Sequence, residues 1–210
     1  MTARSAAAWI ACVALCGPAQ AVTGDWTFRA LLDGKPIGQH RFSVSEYGDE
    51  RKVTSQADFA VRFLGFTAYQ YTHTAVEQWR GDCITALVAK TNDGGKSVEV
   101  HAEQNGDGLD VTAGRAPEPL KGCVMTFAYW NPAIRTQTRL LNPQTGRVER
   151  VQVSRVGDGS IDVHGVPTPA IQFRITGPSA PILVWYSPQG EWLGLDSIVG
   201  GNHKLSYRLP

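Results

Sequence analysis

The sequence predicts an all-β domain: a single strongly curved antiparallel sheet, a half-barrel or barrel of about a dozen strands with one short helix. Apolar and polar residues alternate with period two through most of the chain, and turns rich in Gly, Pro, Asn and Asp interrupt that alternation at short intervals. Curvature follows from the number of strands. About a dozen strands in one domain must curl or close, because a flat sheet of that width leaves edges exposed and one apolar face uncovered.

The chain opens with Met1-Thr2-Ala3-Arg4, an apolar run from Ala6 to Cys16, Gly17-Pro18 and Ala19-Gln20-Ala21. One positive charge, a short apolar stretch and small residues before a cut form a secretory signal, with cleavage expected after Ala21 and a periplasmic destination. The run falls short of the roughly 20 apolar residues of a membrane-spanning helix, and no later stretch approaches that length, so an integral membrane protein is not expected. A lipid-modified N-terminus at Cys12 or Cys16 is the competing reading. Cys16 follows the bulky Leu15, however, and Cys12 leaves a very short apolar segment before it.

Removing 21 of the 210 residues leaves 189, residues 22–210, enough for one domain with a sizeable core. Arg4 leaves with the signal, so 20 Lys and Arg become 19 against 19 Asp and Glu, and the formal charge is zero. No block of five or more like charges occurs, which argues against nucleic acid and polybasic membrane binding.

Strand patterning begins with Trp26, Phe28, Ala30 and Leu32 on one face and ends at Asp33-Gly34-Lys35-Pro36. A second strand from Ile37 to Tyr47 places His40, Phe42 and Val44 together. Residues 52–79, broken only by Gly65, read as a long hairpin rich in Thr, Tyr and Val. Asn92-Asp93-Gly94-Gly95 and Asn105-Gly106-Asp107-Gly108 supply tight turns between strands near 83–91, 96–104 and 107–113. Prolines then interrupt 115–144, where Asn131 as N-cap and Pro132 as first helical residue predict one or two helical turns, with Ile134, Gln137 and Leu141 on one side. Strands resume at 146–156, 160–164, 169–176, 182–187, 191–199 and 203–209. Gly157-Asp158-Gly159, Pro178, Ser187-Pro188-Gln189-Gly190 and Gly200-Gly201-Asn202 are read as the turns between them.

Cys83 and Cys123 are the two cysteines left after the signal, and a single intramolecular disulfide is expected of them in an oxidising compartment. Two unpaired buried thiols are the alternative. A redox-active pair is disfavoured because the close Cys-x-x-Cys spacing is missing.

Polar residues in phase with apolar ones carry the functional signal. His40 shares a face with Phe42 and Val44; His73 and Glu77 with Tyr71, Ala75 and Trp79; His203 with Leu205 and Tyr207. His101 and His164 alternate oppositely and are expected to face solvent. His40, His73, Glu77 and His203 can therefore line the concavity as ligand-orienting groups, metal ligands or acid and base, or be buried groups satisfied by hydrogen bonds. Four residues along a strand separate the His73 and Glu77 Cα atoms by roughly 13 Å, so the two do not chelate one ion by themselves. Trp79, Tyr129 and Trp130 join the four as candidate ligand-binding residues, since large rings with a polar edge suit a cavity wall as well as a core. No nucleophile elbow, His-Glu-x-x-His or phosphate loop occurs, and the Gly-Asp-Gly turns lack the ligands of a calcium loop. No metal and no cofactor are expected.

Several blocks carry a resemblance: Leu32-Asp33-Gly34-Lys35-Pro36-Ile37-Gly38-Gln39-His40-Arg41-Phe42, Tyr71-Thr72-His73 through Glu77-Gln78-Trp79, and Lys90 to Lys96. Phe127-Ala128-Tyr129-Trp130-Asn131-Pro132 and the stretch from Trp185-Tyr186 to Trp192-Leu193-Gly194-Leu195 belong with them. Together they resemble the exported bacterial family known as domain of unknown function 6134. The resemblance implies an envelope protein of curved-sheet architecture and brings no catalytic residue, cofactor or substrate. Three functions fit. The first is binding or carrying an apolar small molecule or lipid in the concavity. The second is an envelope accessory or assembly factor acting through a protein partner, and the third an enzyme using the inward His and Glu residues.

Overall fold

In the computed structural model, residues 23–63 and 66–210 are described; the signal segment, cleavage site and Gly65 turn expected from the sequence lie outside them. The first ten strands come in chain order before the long hairpin β11–β12. They are β1 (Thr23–Leu32), β2 (Lys35–Tyr47), β3 (Glu50–Phe63), β4 (Phe66–Arg80), β5 (Cys83–Asp93), β6 (Lys96–Asn105), β7 (Gly108–Thr112), β8 (Glu118–Leu120), β9 (Arg139–Asn142) and β10 (Arg147–Arg150). β11 (Gln152–Val163), β12 (Val166–Thr176), β13 (Ile182–Tyr186), β14 (Trp192–Val199) and β15 (His203–Arg208) complete the chain. All but β9 and β10 belong to one 13-stranded sheet in the order β11-β12-β13-β14-β15-β1-β2-β3-β4-β5-β6-β7-β8, and every ladder in it is antiparallel.

The period of two decides what each strand buries. In β4, His73, Ala75, Glu77 and Trp79 are buried while Thr74, Val76 and Gln78 are exposed. The buried face is concave. Tyr129 and Trp130 are chain neighbours, about 3.8 Å apart at Cα. Yet the Tyr186 hydroxyl on β13 donates to the Tyr129 carbonyl at 2.8 Å, and Trp130 stands edge-on to Trp79 of β4 with ring centroids 5.4 Å apart. β13 and β4 are six steps apart in the sheet, about 29 Å if it were flat. Only a tightly curled sheet lets two adjacent residues touch both. Register shifts in the β1–β2, β3–β4, β4–β5, β11–β12 and β13–β14 ladders mark bulges, which bend and over-twist strands.

The curl does not close into a barrel. Among the described residues no ladder joins the edge strands β8 and β11, which corrects the closed alternative of the sequence reading. Instead residues 121–151 fold into the open side. They carry the β9–β10 hairpin and a short 3-10 helix, η1 (Pro132–Thr136), and bury Val124, Met125, Ile134, Leu140 and Leu141 against the concave face. Asn131 caps η1 as expected, its side-chain oxygen accepting from Ala133 N at 2.9 Å. Leu141 belongs to β9 and not to the helix. The Cys83–Cys123 disulfide ties this inserted segment to the start of β5, next to the Ile84 N–H donating to Val124 O at 2.9 Å.

Two further expectations change. Gly157-Asp158-Gly159 makes no turn, and the separate strands 146–156 and 160–164 do not exist as such. β11 runs through the glycines, with a bulge between Arg155 and Gly157 that absorbs Val156 as an extra residue. At Gly159 a side chain would press on the Trp185 ring, so the glycine serves close packing. Residues 118–120, inside the stretch that the prolines interrupt, add the short edge strand β8. Among the described residues no helix is long and apolar enough to cross a membrane.

Candidate functional site

The concavity is hollow in two places. An inner chamber of about 220 Å³ lies between β2–β4 and the inserted segment. An outer pocket of about 640 Å³ opens beside it, walled by Leu32, Ile37, Phe59, Tyr71, Leu205 and Tyr207 among others. The two meet where His40, on the inner wall, bonds Tyr207, on the outer wall, and Gln144 from the β9–β10 hairpin borders both.

Three inner-face strands furnish the inner chamber. β2 contributes His40 and Phe42, β3 contributes Val53 and Ser55, and β4 contributes His73, Ala75 and Glu77. The small Ala75 lies between His73 and Glu77 and leaves room above the sheet. His40 Nδ1 lies 3.1 Å from the Tyr207 hydroxyl and Nε2 lies 2.7 Å from Ser55 Oγ, so a neutral ring satisfies both partners in either tautomer. Burial, with the nearby His73 adding to it, depresses the His40 pKa to about 3. His73, 3% exposed, bonds Thr91 Oγ1 through Nδ1 at 2.9 Å, and burial depresses its pKa to about 4. Both imidazoles are uncharged at neutral pH.

Glu77 is 7% exposed, and burial raises its carboxyl to about 7, although hydrogen bonds from Trp79 Nε1 at 2.9 Å and Thr126 Oγ1 at 3.3 Å work against that rise. Both donors reach Oε2. Among the described residues Oε1 accepts no hydrogen bond, and His73 Nε2 has no partner either. Neither atom is sealed away, since among the described residues no buried side-chain polar atom lacks a partner. Each therefore reaches accessible space, and the space these two residues border is the chamber.

Of the seven residues singled out in the sequence, His40, His73, Glu77, Tyr129 and Trp130 meet around the inner chamber. Trp79 sits behind the wall, 1% exposed, where its indole N–H holds the Glu77 carboxylate. His203 stands apart from the other inward residues. It is exposed at the rim of the outer pocket, with Nδ1 2.6 Å from Asp33 in the β1–β2 turn. The alternation placed its face correctly, but His203 begins β15, where the sheet runs out beyond the chamber. His101 and His164 are exposed, as expected. Sequence reasoning missed Ser55, Thr126, Asn142, Gln144 and Glu149. Ser55 carried a signal, being in phase with Val53 and Ala57; the others arrive on the inserted segment, which no periodicity positions. Among the described residues no three His, Cys, Asp or Glu side chains gather as a metal site.

A strongly curled antiparallel sheet, plugged by one long insertion and hollow on its concave side, defines a β-barrel-like protein. The chain belongs to the family described as Domain of unknown function (DUF6134), whose model matches residues 28–209. It is also similar in fold to a solved structure described as a β-barrel-like protein of domain of unknown function DUF1849 from Brucella abortus. The TM-score is 0.63 at 11% identity, covering 89% of this chain and 94% of that one. A search of curated proteins finds no match.

Proposed function

We propose that the protein binds an apolar or lipid-like molecule in the concavity of its curved sheet, after export to an oxidising compartment such as the periplasm. The observation that carries this reading is the outer pocket. Its volume of about 640 Å³ falls in the range of small-molecule sites, and its walls are Leu, Ile, Val, Phe and Tyr side chains with few polar groups. The inner chamber continues it with polar groups suited to orienting one end of the ligand. The Cys83–Cys123 disulfide supports an oxidising compartment. An enzymatic reading is weaker. His40 is held neutral and has no carboxylate partner among the described residues, so the Ser55–His40 contact lacks the stabilised imidazolium that a nucleophile–base pair requires.

Titration with decanol, followed by tryptophan fluorescence and calorimetry, tests the proposal. Wild type is expected to bind saturably, and Leu205→Trp, which fills the outer pocket from β15, to weaken binding at least about tenfold. Non-saturable binding, or equal affinity in a folded Leu205→Trp, refutes it.

A further inference from the structure

We infer, building on the proposal that the concavity holds an amphiphile, that the inner chamber receives a cationic ammonium head group. Three features of the chamber converge on that chemistry.

The first is an unmet acceptor. Glu77 is more than nine-tenths buried, both of its donors go to Oε2, and Oε1 is left facing the chamber with no partner among the described residues. The free Nε2 of His73 opens onto the same space from the same strand. A carboxylate oxygen that opens on the chamber without a protein donor is available to a ligand N–H or a cation, and a charge-assisted bond there is stronger than a neutral one.

The second is the sign of the charges. Among the described residues, Glu77 on β4 and Glu149 on β10 are the acidic residues on the wall, and neither Lys nor Arg lines the chamber. Glu149 Oε1 accepts from Asn142 Nδ2 at 2.7 Å, a neutral donor that leaves its charge uncompensated. A carboxylate or phosphate head group here would meet two carboxyls and no cation. An ammonium would meet its counter-charge on two sides.

The third is the aromatic lining. Phe42, Phe127, Tyr129 and Trp130 all border the chamber, and ring faces attract alkylammonium groups. At about 220 Å³ the space admits a compact head group, with the larger apolar pocket beyond His40 and Tyr207 left for the chain.

The test is a matched series of decylammonium, decanol and decanoate, titrated calorimetrically below micelle formation at about pH 8 against wild type, Glu77→Gln and Glu149→Gln. Decylammonium is expected to bind at least about tenfold tighter than decanol, about 1.4 kcal/mol, and decanoate to bind more weakly than decanol. Each Gln variant is expected to remove most of the decylammonium-to-decanol ratio. Circular dichroism establishes that the variants fold, and because the two carboxyls lie on different elements, either folded variant suffices. Equal affinity for the three ligands, tighter binding of decanoate, or an unchanged ratio in a folded variant overturns the head-group assignment and leaves the apolar site standing. Failure of all three ligands to bind overturns both.

Discussion

Replacing Glu77 with Gln removes a carboxyl that burial holds at about 7 against an ordinary value of 4.5. The amide keeps an acceptor oxygen for Trp79 Nε1 and Thr126 Oγ1, so the perturbation is chiefly the loss of one titration. Between those two pH values the folded wild type holds more protons than the unfolded chain. Its stability contribution from Glu77 is therefore complete below about pH 4.5 and is lost as pH rises through about 7. The gap between 4.5 and about 7 corresponds to about 3 kcal/mol. Gln does not titrate, so the stability of Glu77→Gln relative to wild type should rise by about 3 kcal/mol between about pH 4 and about pH 8. In thermal melts this difference amounts to roughly 6–12 °C for a domain of this size. His40 and His73 titrate in both proteins and largely cancel in the comparison. Urea unfolding at unit pH intervals measures it, and two parallel stability curves with a constant offset would refute the reasoning.

Other outcomes follow from the same structure. His40 and His73, depressed to about 3 and about 4, are neutral in the folded protein but charge at an ordinary 6.5 when unfolded. Stability of Glu77→Gln should thus fall on acidification below about pH 6.5, by up to about 1.4 kcal/mol per pH unit for each ring; a flat urea profile there contradicts the burial of the rings. Removing the disulfide in a Cys83→Ala/Cys123→Ala double variant opens a crosslink across 40 residues and should cost about 4 kcal/mol in urea unfolding, with under about 1 kcal/mol counting against it. Gly38→Ala would place a methyl 1.9 Å from the Asp58 carbonyl oxygen at a φ of +151°, where only glycine is at ease. It should destabilise by more than about 1 kcal/mol, and a melt indistinguishable from wild type would show that the β1–β2 bulge is not as described.

The features readable from sequence are those that depend on which side of a strand a residue occupies. Period-two alternation put His73, Glu77 and Trp79 on the buried face and His101 on the exposed one, because side chains alternate with the pleat wherever one face is covered. It could not say how far along a strand the concavity reaches. His203 has the right phase and the wrong depth, and a hydrogen bond with Asp33 takes the place of a chamber contact. Bulges were equally hidden: Gly157 and Gly159 look like turn residues, yet β11 passes through them, since an extra residue and close packing also call for glycine. The insertion is the largest omission. Thr126, Asn142 and Glu149 reach the chamber through long-range contacts fixed by the disulfide, η1 and the β9–β10 hairpin, none of which has a local period.

Native mass spectrometry of the protein, purified without detergent and released gently, tests the central claim most directly. A hollow, ligand-binding concavity predicts a discrete small-molecule adduct on wild type that is lost or much reduced on Leu205→Trp. A bare mass for wild type under conditions that preserve a control lipid complex, together with no saturable decanol binding, would contradict it.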